Sequence, residues 1–115
     1  MLAKLTIPLT IALACTVLAA QAWAASSRGV GLRDNYLVLS SLSATHGSVT
    51  FTAVNHGLHT HTFDIKRVST GAVLYQSRLI SPGGDHVSVT RTLAAGKYRL
   101  YCRIHVGMYK IFTVT

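Results

Sequence analysis

Residues 97–108 read Lys-Tyr-Arg-Leu-Tyr-Cys-Arg-Ile-His-Val-Gly-Met, and the first half of that stretch alternates. Tyr98, Leu100 and Cys102 fall on one side of an extended chain and Lys97, Arg99 and Arg103 on the other, the period of two of a half-buried strand. His105 lies an odd number of residues beyond Cys102, so a continuing strand would point it to the wrong face. A tight turn after Cys102 removes the conflict, and Gly107 supplies backbone freedom between His105 and Met108. A thiolate, an imidazole and a thioether then leave one short loop together, with a second histidine-rich stretch, Asn55 to Phe63, well upstream. A thiolate, two imidazoles and a thioether are the set that holds copper in electron-transfer sites.

Outward from this segment the chain reads as short strands with turn punctuation. Tyr36 to Ser41 is a first strand. Ser48 to Asn55 sets Val49, Phe51 and Ala53 against Thr50 and Thr52, and Asn55-His56-Gly57 turns the chain. From His61 onward, His61, Phe63 and Ile65 share one face while Thr62, Asp64 and Lys66 share the other. Ala72 to Ile80 extends to the Ser81-Pro-Gly-Gly-Asp85 turn, and Val87 and Val89 alternate with Ser88 and Thr90. Lys97 to Cys102 and Tyr109 to Thr115 complete the set. About seven short strands without an amphipathic helix predict an all-β, two-sheet Greek-key sandwich. Its expected core is Val49, Phe51, Phe63, Ile65, Val87, Val89, Tyr98 and Leu100.

The start of the chain reads as an export signal. Lys4 precedes an apolar run from Leu5 to Ala20, and Ala22-Trp23-Ala24 matches a small-x-small cleavage site, so residues 1–24 are expected to be removed. An uncleaved anchor is the alternative. Ala25 to Asp34, with Ser, Gly and Arg and little apolar pattern, reads as a flexible lead-in to a domain spanning 35–115. Loss of Cys15 with the signal leaves Cys102 as the lone thiol of an exported protein, and metal ligation is the occupation its neighbours favour. Beyond residue 24 there are ten Lys or Arg against Asp34, Asp64 and Asp85, with no Glu, a net +7. Such a surface suits an acidic partner. The cations are spread along the chain rather than gathered in a stripe, which argues against nucleic acid.

Three segments in order carry a resemblance. Asn55, Gly57, His61 and Phe63 form the first; Pro82-Gly83-Gly84 followed by Ala95-Gly96-Lys97-Tyr98 and Tyr101-Cys102 forms the second; Cys102-x-x-His105-x-x-Met108 is the third. Together they resemble a small cupredoxin of the amicyanin and plastocyanin-like type across nearly all of the mature domain. The resemblance implies one copper ion held by His61, Cys102, His105 and, weakly and axially, Met108. His61 would be buried and His105 would sit at the surface. His59 has the parity of His61 and competes for the first-ligand role. Thr62 stands where the family often has Asn, Ile104 and Val106 flank His105 where the amicyanin type has Pro, and Lys110 replaces a common glycine.

The expected function is that of a periplasmic or secreted, monomeric blue-copper carrier, passing single electrons to a redox partner with an acidic docking surface. It would catalyse no bond chemistry and keep no membrane insertion after cleavage. Copper storage or delivery without redox cycling is the second reading. The cluster His56, His59 and His61 speaks for it, and Met108, the only methionine after cleavage, against it.

Overall fold

The computed structural model describes residues 24–115 and the isolated positions 3, 4, 6 and 8, so the export-signal reading of residues 1–24 lies almost wholly outside the described residues. Nine strands follow in order: β1 (Ala24–Leu32), β2 (Leu37–Leu39), β3 (Ser43–Ala44), β4 (Gly47–Asn55), β5 (Asp64–Arg67), β6 (Val73–Gln76), β7 (His86–Leu93), β8 (Gly96–Tyr101) and β9 (Tyr109–Val114). They form a four-stranded sheet, β2-β1-β4-β7, and a five-stranded sheet, β3-β9-β8-β5-β6. Most connections carry the chain from one sheet to the other, as a Greek-key sandwich requires. No helix among the described residues is long and apolar enough to cross a membrane.

All eight expected core residues are buried, joined by Val30, Leu32, Leu37, Leu93, Phe112 and Val114 among others. Phe51 is the hinge of the packing. Its ring centroid lies 5.2 Å from Phe112 in an edge-on contact and 5.6 Å from Phe63 in a tilted one, so the two sheets lock through aromatic faces.

Two expectations need correction. Ala25 to Asp34 is mostly strand: β1 pairs in parallel with β4 along its whole length and antiparallel with β2. The segment hides from sequence patterning because only Val30 and Leu32 reach the core, and the backbone ladder holds the rest. The other concerns residues 61–66. His61 makes a single bridge with Ile80 and regular pairing starts only at Asp64. The intervening donors are taken by side chains: Thr62 N–H points to Cys102 Sγ at 3.3 Å and Phe63 N–H donates to Ser77 Oγ at 2.9 Å. The face opposite His61, Phe63 and Ile65 is therefore enclosed too, with Thr62 and Asp64 fully buried.

Candidate metal centre

The parallel pairing of β1 with β4 brings Leu32 beside Asn55, so the loops after both strands meet at one end of the sandwich. Asn55 is buried and organises that end. Its Nδ2 donates to the carbonyls of His59 (2.8 Å) and Ile80 (2.9 Å), and its Oδ1 accepts from Gly57 N–H at 2.9 Å. The chain thus doubles back between 55 and 61 and delivers His61 inward. From the other sheet, β8 ends at Tyr101 and the Cys102–Met108 loop closes on itself. Cys102 N–H donates to the Met108 carbonyl at 3.0 Å and Met108 N–H to the His105 carbonyl at 3.2 Å. Gly107 turns the loop with φ +83°, a left-handed conformation that suits glycine.

His61, Cys102 and His105 thereby converge. Both imidazoles present Nδ1: these nitrogens are 3.1 Å apart, and Cys102 Sγ lies 3.9 Å from that of His61 and 3.4 Å from that of His105. The point equidistant from three corners so spaced is about 2.0 Å from each, close to metal–nitrogen bond lengths and a little under a metal–thiolate bond. The triangle accommodates an ion with little movement. Met108, buried at 2% exposure, shares a small cleft of about 230 Å³ with Cys102 and His105. A thiolate, two imidazoles and an adjacent thioether form a copper-type set, since structural zinc takes four strong donors.

The surroundings fix the donors. Thr62, placed where an Asn is common, contributes in two ways: its N–H faces the sulfur, and its hydroxyl accepts from Arg103 N–H at 3.0 Å. Asp34, which sequence reading left in a lead-in, is part of the centre. Its Oδ1 accepts from Leu58 N–H (2.8 Å) and His59 N–H (3.2 Å) and lies 3.3 Å from His61 Nε2 and 3.3 Å from His59 Nδ1. A carboxylate behind a ligating imidazole sets its tautomer and orientation. No pattern in sequence marks Asp34, because β1 and β2 must pair before it arrives there.

Electrostatics follow from enclosure. Burial pushes the imidazole of His61 below its ordinary value and neighbouring His105 adds to this, against the pull of Asp34. For Asp34, partial desolvation acts upward but is outweighed by hydrogen bonds from Leu58, His61 and His59, which hold the carboxyl at about 2. A neutral His61 facing an ionised Asp34 is the ligand-competent state.

The sequence-predicted residues are thus sorted by the fold. His59 is exposed and turned to Asp34, not to the sulfur, while His61 is fully buried at the triangle. His105 is half-buried at the rim, beside exposed Ile104 and Val106, with exposed Leu58 on the neighbouring loop. Lys110, two residues beyond Met108, lines a separate cleft with Tyr36 and Leu42. Arg103, placed by its spacing on the side opposite Cys102, donates to buried Asp64 at 2.8 Å.

No family model matches the chain, and no curated protein matches its sequence. Solved structures do. Dithionite-reduced auracyanin from the photosynthetic bacterium Roseiflexus castenholzii aligns with a TM-score of 0.58 at 17% identity, over 81% of this chain and 98% of that one. Rusticyanin from Thiobacillus ferrooxidans aligns at 0.65 and 16% identity, over 78% and 77% of the two chains. A purple cupredoxin from Nitrosopumilus maritimus aligns at 0.52 and 24% identity, over 78% of this chain and 99% of that one. At such identities the likeness speaks for architecture, and the architecture of this chain is the cupredoxin fold.

Proposed function

We propose that this chain is an exported mononuclear type 1 copper protein that carries one electron at a time between redox partners. The observation that carries the reading is the triangle of His61 Nδ1, Cys102 Sγ and His105 Nδ1, with Met108 buried beside it. Copper held there by His61, Cys102 and His105, with Met108 as a weak fourth donor, would supply a one-electron couple. The chain's own contribution is constancy. Asn55, Asp34 and the self-closed Cys102–Met108 loop hold the donors where they are needed before and after transfer, so little has to rearrange. Thr62 N–H stabilises the thiolate, and burial of Cys102 keeps oxidants from it. Four protein donors leave no open position for a substrate, so bond chemistry is not part of the reading.

His105 supplies the exit. It is the most accessible of the four proposed ligands, and its neighbours Ile104 and Val106 are exposed and apolar, as is Leu58 on the loop before His61. Such a rim permits close approach and easy release by a partner. The deciding experiment is the visible absorption spectrum of the copper-loaded protein. The wild type should be intensely coloured when oxidised, through thiolate-to-copper charge transfer, and Cys102→Ser should be colourless. A Cys102→Ser protein that keeps the band overturns the assignment.

A further inference from the structure

The ten cations of the mature chain look scattered in sequence, but the five-stranded sheet sets two of them side by side. Lys66 on β5 and Arg99 on β8 are register partners, directly opposite each other on adjacent strands. Like charges so placed repel and weaken a sheet. Lys66, Arg99 and Tyr109 line a cleft of about 340 Å³ on that face, while Arg67, register partner of buried Tyr98, turns the other way and donates to the Tyr98 hydroxyl at 3.0 Å. Aromatic rings steady the Lys66–Arg99 pair. Arg99 lies over Tyr109 with its guanidinium carbon 3.9 Å from the ring centroid, and Lys66 lies over Tyr101 at 5.1 Å. What is missing is negative charge. The chain holds three acids, and Asp34 faces His59 and His61, Asp64 binds Arg103, and Asp85 binds Arg78. Among the described residues no carboxylate pairs with Lys66, Arg67 or Arg99, and the buried Nε of Arg99 has no acceptor.

Within the chain Lys66 and Arg99 meet aromatic rings but no counter-charge, which leaves both open to an acidic group from outside. Lys66 and Arg99 also line the smaller cleft that reaches Cys102, His105 and Met108, which makes the cationic face continuous with the metal centre. We propose that this face is a docking surface for an acidic protein partner, engaged alongside the apolar rim at His105; the proposal rests on the carrier reading for its purpose. Carboxylates of the partner would take the place of the missing counter-charges, orient the encounter and bring the partner beside the loop. The unlike outer faces are consistent with this. On the four-stranded sheet the cross-strand pairs are neutral, Thr50 with Thr90 at 2.7 Å and Thr52 with Ser88 at 3.4 Å.

The test is a titration of the full chain with a short polyglutamate peptide, followed by backbone amide shifts, with copper present and absent. Shifts should concentrate at Lys66, Arg99 and Tyr109 and fade with added salt. Lys66→Glu should lose roughly tenfold or more in affinity, yet raise the melting temperature, because it converts a repelling cross-strand pair into an attracting one. Arg91→Gln, on the other sheet, should bind as the wild type does. Shifts spread evenly over all cations, or equal losses in Lys66→Glu and Arg91→Gln, overturn the surface. So does pyrophosphate binding at the same residues as tightly as the peptide, which would mark a small-anion site. A chain with the shift pattern but no visible band keeps the surface and sinks the carrier reading; a coloured chain without the pattern does the reverse.

Discussion

His61 and His105 offer the same nitrogen to the same point, but one is enclosed and the other stands at the rim. The His61 arm is held from several directions: the bridge to Ile80, the Asn55 bonds across its loop, and Asp34 behind its Nε2. The His105 arm is a loop closed by two backbone hydrogen bonds, with apolar side chains pointing outward. The difference assigns separate duties. Enclosure fixes geometry, so a change on the His61 arm should disturb fold and metal together. Exposure gives access, so a change at the outer residues of the His105 arm should alter exchange with partners and little else.

The largest contrast lies within the enclosed arm. His61→Ala should abolish the visible band of the copper-loaded protein, whereas His59→Ala should leave it in place, since His59 faces Asp34 from outside. Absorption spectra of the two variants decide this, and the reverse result would move the ligand to His59. Glycine substitutions compare the arms directly. A Cβ at Gly57 would collide with the Asp34 carboxylate and come within 3.0 Å of His61 Nε2. Gly57→Ala should therefore cost about 1–3 kcal/mol by denaturant titration, and shift the reduction potential as well. Gly107→Ala meets no neighbouring atom and suffers only its positive φ, a cost of about 1–2 kcal/mol with the visible band retained. A Gly57→Ala protein with unchanged potential would erase the distinction between the arms.

On the rim, Val106→Asp should slow electron exchange with an acidic partner while stability stays within about 0.5 kcal/mol of wild type. An unaffected exchange rate would remove the rim as the point of approach. The smallest effect concerns pH and the turn beneath Ile80. The fork of Arg78, first of all, with Ser81 and His86 N–H, holds the Asp85 carboxyl well below the usual carboxylate range. A carboxyl lowered on folding contributes stability that is complete above its unfolded value of about 4 and is lost as pH falls below that. Asp85→Asn should lower stability at neutral pH and flatten the acid limb of a stability–pH curve measured in urea. An unchanged acid limb would detach this turn from the support of the His61 arm.

Strand periodicity exposed most of the sandwich. The alternation of Val49, Phe51 and Ala53, and of Tyr98, Leu100 and Cys102, identified core faces that are indeed buried. It failed at residues 61–66, where Thr62 and Asp64 are as buried as their neighbours. The reason is that the Cys102 sulfur, the Arg103 N–H and the Arg103–Asp64 ion pair supply polar partners inside the protein, so hydrophilic residues there no longer signal solvent. It failed again at β1, where small residues are held by ladder bonds rather than by apolar side chains.

Local order along the chain determined the strand pattern, the core and the Cys102–His105–Met108 loop, because each depends on spacing within a few residues. Tertiary structure decided the rest. It placed His61 rather than His59 beside Cys102 and His105, recruited Asp34 across 27 residues, and set Lys66 against Arg99 on neighbouring strands. These are outcomes of strand register between segments distant in sequence, and register is settled by packing of the whole sandwich rather than by any one stretch.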